Sequence, residues 1–170
     1  MKLKDILKSA NFDIDVSGVS YNSRETKPGD VFVAITGFKT DGHKYDPYCI
    51  RVTARRLTER YHLPVIITEN GYGRADVLES DGSIHDTYRI EHLRETIRQM
   101  KIGIEEGADI FGYCPWSALD LVSTREGITK RYGFIYVDYQ DDGTGNGDRY
   151  RKDSFYWYKK VIESNGEDLD

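Results

Sequence analysis

The stretch PVIITENG, residues 64–71, decides the fold of this chain. Its first five residues are almost wholly apolar and rich in β-branched side chains, which predicts a strand buried on both faces of a sheet. Glu69-Asn70-Gly71 then ends the apolar run. Functional groups in α/β folds collect beyond the carboxyl ends of the strands. Glu69 is therefore a candidate functional residue by position alone, with a solvated loop acid as the alternative.

Strand and helix patterns alternate on both sides of this stretch. VFVAIT at residues 31–36 and DIFGYC at residues 109–114 predict two more buried strands. A turn at Pro28-Gly29-Asp30 precedes the first of them. The order strand, helix, strand, helix, strand predicts right-handed βαβ crossovers with parallel pairing.

Two helices are predicted between these strands. The first begins with Asp46 as a capping carboxylate and Pro47 at the first helical position, and it ends near Tyr61. The second follows Asp86 and is stopped by Gly107. Its apolar residues recur every three or four positions, at Ile90, Leu93, Ile97, Met100 and Ile104.

The outer parts of the chain carry shorter patterns. Residues 2–10 predict an amphipathic helix and residues 14–19 a strand. Near the other end, residues 133–138 predict a strand, residues 141–148 an exposed glycine-rich turn, and residues 154–164 a closing helix. That helix has an apolar stripe formed by Phe155, Tyr158 and Ile162. We therefore expect an α/β fold, a small parallel or mixed sheet built from βαβ units with flanking helices.

Length and composition bound the class of protein. The 170 residues are fewer than the roughly 250 of a complete (β/α)8 barrel. A mean hydropathy of -0.63 indicates a polar, well-hydrated surface, and a net charge of -5 disfavours nucleic-acid binding. Neither a membrane helix nor a signal peptide is recognisable, so we expect a cytoplasmic protein. Cys49 and Cys114 have no ligand or disulfide spacing, which favours reduced, packed thiols, and we expect neither a metal nor a cofactor.

Several separate motifs between residue 46 and the end resemble one family. They are ITENG, YCPWSALDLVS, KRYGFIYVD and SFYWYKKVIESNGEDL. Their order and spacing are similar to the carboxyl-terminal part of glycoside hydrolase family 1, the retaining β-glycosidases built on a (β/α)8 barrel. The resemblance implies that residues 46–170 form an incomplete barrel.

The resemblance implies roles for two residues. In the family, the glutamate of the T/V-E-N-G sequence is the nucleophile that attacks the anomeric carbon and holds a covalent glycosyl ester. Its match here is Glu69. Trp116, in PWS, matches a tryptophan that forms a platform under the sugar ring, with a core aromatic beside Pro115 as the alternative.

Three further residues indicate a subfamily. Ser123, Lys130 and Tyr132 offer a hydroxyl, an ammonium and a phenol, which are donors suited to a phosphate monoester. A serine here with a following Lys-x-Tyr resembles the 6-phospho-β-glucosidases, whereas ordinary β-glucosidases carry a glutamate at the serine position. The resemblance implies a 6-phosphosugar ligand, and the alternative is three unremarkable loop residues.

The second carboxyl group of a retaining site has no match. In the family it is the glutamate of an Asn-Glu-Pro sequence, which this chain does not contain. The two carboxyl groups of such a site stand about 5–5.5 Å apart across the scissile bond. We therefore expect 6-phosphosugar binding with little or no hydrolysis.

The first 45 residues resemble a different family. YNSRETKPGDVFVAITGFKTDGHKY is similar to the amino-terminal domain of the Mur ligases, most closely the UDP-N-acetylmuramoyl-tripeptide synthetases. The resemblance implies UDP-sugar contacts from Ser23, Arg24 and the loop from Thr40 to His43, with a surface histidine as the alternative for His43. No Gly-Lys-Thr phosphate loop is present, so ATP-dependent ligation is not expected.

The two resemblances together predict a chimera folded as one unit, with residues 1–45 from the Mur ligase type and residues 46–170 from the glycosidase type. Three functions stay open. The chain is a 6-phospho-β-glucosidase derivative, a UDP-sugar-binding module, or a folded recombinant with neither activity. Strand edges left exposed by missing barrel neighbours favour a homo-oligomer, while no nucleic-acid or membrane partner is expected.

Overall fold

The computed structural model describes residues 46–124 and 126–170 in full, and residues 19–20 and 31–35 by their backbone. The predicted helix at residues 2–10 lies outside the described residues, as does most of the predicted strand at residues 14–19. In chain order the elements are β1 (Val19–Ser20), β2 (Val31–Ile35), α1 (Tyr48–Tyr61), β3 (Val65–Asn70), α2 (Thr87–Glu105), β4 (Ile110–Pro115), β5 (Ile135–Val137), β6 (Arg149–Arg151) and α3 (Asp153–Glu163).

The chain forms two compact units that do not follow chain order. The first unit comprises Met1–Glu69 and Gln99–Cys114, and the second comprises Asn70–Arg98 and Pro115–Asp170. The division at residue 45 drawn from the two sequence resemblances stays a prediction.

A four-stranded sheet with the order β1-β2-β3-β4 organises the first unit. β1 pairs with β2 and β2 with β3 in the parallel sense, which confirms the predicted pairing for these strands. The register shifts between Ala34 and Ile35, so that Ile35 pairs with Glu69 and Thr68 is the extra residue on β3. Bulges of this kind re-aim side chains and are frequent near active sites. β3 also runs two residues further than the sequence predicts, because its ladder continues through Glu69 and Asn70.

Both predicted helices around β3 are confirmed. The backbone N–H of Tyr48 donates to Asp46 Oδ1 at 3.0 Å just before α1. α2 ends where Gly107 takes a φ of 96°. The N–H groups of Gly107 and Ala108 then donate to the carbonyls of Ile104 and Gly103 at 2.9 and 2.8 Å, a Schellman ending that glycine permits. Buried apolar residues of this unit are Ala54, Val65, Ile67, Met100 and Ala108.

The second unit contains a β-hairpin that the sequence predicts only in part. β5 lies within the predicted strand at residues 133–138, and β6 pairs with it antiparallel, with Tyr136 opposite Tyr150. The glycine-rich stretch between them is the predicted turn, and Gly143, Gly145 and Gly147 all have positive φ. β6 is missed because its sequence, RYR, has no apolar alternation. The buried apolar residues of this unit are Ile84, Leu93, Ile97, Ile128, Phe134, Tyr136, Trp157, Val161 and Leu169.

The predicted stripe of the closing helix is wrong at Ile162, while Phe155 and Tyr158 are half-buried. The buried residues of α3 are Ser154, Trp157 and Val161, whereas Ile162 is 65% exposed. The cause is Asp86, whose carboxylate accepts hydrogen bonds from the backbone N–H of Ser154 at 2.9 Å and from its hydroxyl at 2.5 Å. These bonds hold the Ser154 face inward.

Two further findings concern sequence expectations. Cys49 and Cys114 are free but exposed, so the expectation of packed thiols is wrong. Among the described residues, no helix has the length and apolarity that a membrane crossing requires.

Candidate active site

Glu69 is the penultimate residue of β3 and belongs to the first unit. Its backbone pairs with Ile35 in the parallel ladder, and its side chain is exposed. Because Thr68 is the extra residue on β3, Glu69 rather than Thr68 pairs with Ile35. The candidate nucleophile thus sits on a hydrogen-bonded strand, the kind of rigid support that a reacting group needs.

Asn70, the next residue, belongs to the second unit and is held by His92. His92 Nε2 lies 3.1 Å from Asn70 Oδ1, and the imidazole stacks on Tyr72 with ring centroids 5.5 Å apart. Burial, with a contribution from the positive charge of Arg89, lowers the pKa of His92 to about 4. The ring is therefore neutral at pH 7, and as the Nε2–H tautomer it donates to the Asn70 amide oxygen.

Trp116 follows β4 and is 38% exposed, so the alternative of a core aromatic is not what the structure shows. Its backbone N–H donates to the carbonyl of Asn70 at 2.7 Å, and its peptide bond to Ser117 is cis. Gly71 lies against it so closely that a Cβ there would overlap the Trp116 carbonyl group. The glycine after Glu69-Asn70 is therefore required by this close approach to backbone.

Gly71→Ala is expected to lower the free energy of unfolding by about 1–3 kcal/mol, because the new methyl group meets backbone that has to shift. Urea denaturation followed by tryptophan fluorescence measures the change. Gly103→Ala is the control, since a Cβ there has its nearest neighbour at 3.6 Å and alanine favours a helix. Equal midpoints for the two variants would contradict the expectation.

Ser123, Lys130 and Tyr132 belong to one connected group of residues in the second unit, in which Glu126 links Ser123 to Lys130. Lys130 Nζ lies 5.8 Å from the centroid of the Tyr132 ring and donates to Glu126 Oε1 at 2.7 Å. The backbone N–H of Glu126 donates to Ser123 Oγ at 3.4 Å. We call Ser123, Glu126, Lys130 and Tyr132 the Lys130 cluster. The hydrogen bond with Glu126 raises the pKa of Lys130, so the ammonium is charged throughout the neutral range.

A buried ion network lies in the same unit, and sequence reasoning missed it. Its six side chains are at most 3% exposed, and three carry positive and three negative charge. The members are Asp76, Asp86, Arg89, Asp120, Arg131 and Lys152. At its centre, Lys152 Nζ donates to Asp76 Oδ2 at 2.5 Å and to Asp120 Oδ1 at 2.7 Å.

The buried ion network fixes the backbone on both sides of Tyr132. Arg89 Nη2 donates to the carbonyl of Arg131 at 2.8 Å, and the N–H of Gly133 donates to Asp120 Oδ1 at 2.8 Å. The Tyr132 ring also packs against Gly73, where a Cβ would come within 2.6 Å of it. Buried charged side chains thus hold Tyr132, the aromatic residue of the Lys130 cluster, through hydrogen bonds to the backbone of its two neighbours.

Ser23, Arg24, Thr40 and His43, the candidate UDP contacts, lie outside the described residues. Among residues 46–124 and 126–170, no group of three or more histidine, cysteine or acidic side chains could hold a metal ion.

Comparisons with known proteins agree with one of the two resemblances. A family model described as Glycosyl hydrolase family 1 matches residues 11–167. The chain is 49% identical over 124 residues to the aryl-phospho-beta-D-glucosidase BglC of Bacillus subtilis, covering 73% of this chain and 26% of that protein. It is 48% identical over 130 residues to the 6-phospho-beta-glucosidase AscB of Escherichia coli, covering 76% and 27%.

A solved structure gives the same result. The beta-glucosidase from Thermotoga maritima superposes with a TM-score of 0.66 at 40% identity, over 72% of this chain and 27% of that one. The chain therefore spans about a quarter of the length of these relatives. These matches support the predicted α/β class and an incomplete barrel.

The Mur ligase resemblance and the chimera have no support from these comparisons. The range matched by the family model, residues 11–167, includes residue 45. The relatives named above are glycosidases, so neither a Mur ligase segment nor a splice is needed to account for the matched part of the chain.

Proposed function

We propose, since this chain belongs to glycosyl hydrolase family 1, that it carries the nucleophile and the phosphate-binding residues of a retaining 6-phospho-β-glucosidase. The observation that supports the proposal is the Lys130 cluster, in which Lys130 lies near the Tyr132 ring and is linked to Ser123 through Glu126. The 47–49% identity to aryl-phospho-β-glucosidases and 6-phospho-β-glucosidases points to the same ligand.

The proposed phosphate site uses three kinds of donor. The ammonium of Lys130 supplies a full positive charge, and its side chain is 29% exposed, so a ligand can reach it. The hydroxyl of Ser123 and the phenol of Tyr132 supply neutral donors. Charge-assisted hydrogen bonds to a phosphate are about twice as strong as neutral ones, so Lys130 is expected to dominate the affinity.

Glu69 is the proposed nucleophile. Its carboxylate attacks the anomeric carbon, a glycosyl ester forms, and the bond to the leaving oxygen breaks with its electron pair. The proton that an alkoxide leaving group requires comes, in a retaining enzyme, from a second carboxyl group. No Asn-Glu-Pro sequence is present in these 170 residues. We therefore propose that these 170 residues alone hydrolyse natural glycosides little or not at all.

The phosphate part of the proposal is tested by binding. Isothermal titration calorimetry is expected to show that the chain binds glucose 6-phosphate more tightly than glucose. Lys130→Ala is expected to weaken binding of glucose 6-phosphate about tenfold, the effect of one charge-assisted hydrogen bond, without changing binding of glucose.

Lys159→Ala is the matched control for this experiment. Lys159 also pairs with a glutamate four residues away, Glu163, at 3.6 Å, and both side chains are 62% exposed. The variant removes the same charge from the second unit outside the Lys130 cluster. Equal losses in the two lysine variants, or equal affinity of the wild-type chain for both sugars, would overturn the proposed phosphate site.

A further inference from the structure

Glu126 is the acidic member of the Lys130 cluster. Its carboxylate Oε1 accepts a hydrogen bond from Lys130 Nζ at 2.7 Å, so it takes one N–H donor and partly neutralises the ammonium that the proposed function assigns to a phosphate. Its backbone N–H, by contrast, donates to Ser123 Oγ at 3.4 Å. Glu126 thus contacts two of the three proposed phosphate-binding residues, Lys130 through its carboxylate and Ser123 through its backbone N–H.

We propose that the Glu126 carboxylate is an internal competitor for Lys130, which lowers the affinity of the Lys130 cluster for phosphate monoesters. This inference rests on the proposed function, because it concerns how that same site selects its ligand. A phosphate that reaches Lys130 has to displace the carboxylate or accept its negative charge nearby. Both alternatives cost free energy that an uncharged sugar does not meet.

The exposure of the pair makes such an exchange feasible. The side chain of Glu126 is 57% exposed and that of Lys130 is 29% exposed, so the pair is screened by water. Exposed ion pairs contribute about 0.2–1 kcal/mol, which a doubly charged phosphate with two neutral donors can exceed. The carboxylate therefore reduces the affinity without blocking the site.

The turn that carries Glu126 does not depend on its carboxylate. The N–H of Ser123 donates to the carbonyl of Gly127 at 2.8 Å, and Gly127 has a φ of 64°. The N–H of Ile128 donates to Asp141 Oδ1 at 2.7 Å. Since these bonds involve the backbone of the turn, Glu126→Gln removes the charge, keeps the shape of the side chain and leaves the turn in place.

The test compares Glu126→Gln with Glu163→Gln in the full chain. Both variants remove one negative charge from an ion pair with a lysine four residues away, and only Glu126 lies in the Lys130 cluster. Calorimetry is run with glucose 6-phosphate and with glucose. Glu126→Gln is expected to tighten binding of glucose 6-phosphate about two- to fivefold, the range of an exposed ion pair, and to leave binding of glucose unchanged.

A double-mutant cycle locates the effect on Lys130. In the Lys130→Ala background, Glu126→Gln is expected to change the affinity for glucose 6-phosphate no more than Glu163→Gln does. The inference is overturned if both glutamine variants tighten binding equally, or if the gain persists without Lys130. If Lys130→Ala itself leaves glucose 6-phosphate binding unaltered, the proposed phosphate site fails first, so the two failures are distinguishable.

Discussion

Glu69→Gln is expected to abolish covalent capture of an activated substrate, 2,4-dinitrophenyl 2-deoxy-2-fluoro-β-glucoside 6-phosphate. In the proposed reaction the Glu69 carboxylate attacks the anomeric carbon, and dinitrophenolate leaves with the bonding electron pair and needs no proton. The first half of the reaction therefore proceeds without a general acid. An amide is a far poorer nucleophile than a carboxylate, so the variant is expected to react at least about 10³-fold more slowly.

The capture is measured by intact-mass spectrometry and by the release of dinitrophenolate. The wild-type chain is expected to release one equivalent of dinitrophenolate without turnover. The fluorine slows hydrolysis of the glycosyl ester, and no residue of the chain matches the family's general base. Peptide mapping is expected to place the sugar on the peptide that contains Glu69. Azide, a nucleophile that needs no general base, is expected to regenerate the free chain.

Glu59→Gln is the matched control. Glu59 is a 62% exposed glutamate on α1 in the same unit, paired with Arg55 at 3.1 Å. Its variant is expected to be captured at the wild-type rate. Equal capture of Glu69→Gln, a sugar on another peptide, or no adduct on the wild-type chain would each contradict the proposed role of Glu69.

Lys152→Met is expected to lower the free energy of unfolding more than the other substitutions proposed above. Lys152 is completely buried and bonds to two aspartates, so its removal leaves carboxylates in a site that water cannot reach. Breaking a buried ion pair by removing one partner costs about 3–5 kcal/mol. Urea denaturation gives the change in the free energy of unfolding.

The electrostatic origin of this loss can be separated from packing. Burial lowers the pKa of Lys152, and Arg89 adds to that, while Asp120 and Asp76 oppose both. The two aspartates thus favour the charged form of the Lys152 ammonium against its burial. Lys152→Met combined with Asp76→Asn is expected to recover part of the loss, because a buried carboxylate that has lost its ammonium partner is removed with the cation.

Lys159→Met serves as the control for the hydrophobic substitution, since Lys159 is 62% exposed on α3. It is expected to change the free energy of unfolding by less than about 0.5 kcal/mol, as surface substitutions usually do. A denaturation midpoint of Lys152→Met equal to that of Lys159→Met would show that the buried ion network does not stabilise the chain.

The buried faces of the helices show where prediction from the sequence stops. On α2 the apolar period correctly identifies Leu93, Ile97 and Met100 as buried, but Ile104 is 49% exposed. Arg89, His92 and Thr96 are buried on the same helix, and an apolar pattern cannot include them. On α3 the same method misses the fully buried residues Ser154, Trp157 and Val161, because hydrogen bonds from Ser154 to Asp86 orient that face inward.

The residues of the candidate site are also predicted from the sequence only in part. Motif matches alone single out Glu69, Trp116, Ser123, Lys130 and Tyr132. Glu126 is not among them, because its relevance depends on the contact that its carboxylate makes with Lys130. His92 is missed for a similar reason, since its bond to Asn70 joins residues 22 positions apart in the chain.

The sequence by itself determined the alternation of strands and helices from residue 46 onward, the parallel start of the sheet, and the family. These follow from local patterns: apolar runs, capping residues, glycines and motifs that each occupy a few consecutive residues. Only the tertiary structure decided that Thr68 is the extra residue that pairs Glu69 with Ile35. It also decided that six buried charges secure the backbone around Tyr132, because ion pairs join residues up to 76 positions apart and their strength depends on burial, which no local pattern encodes.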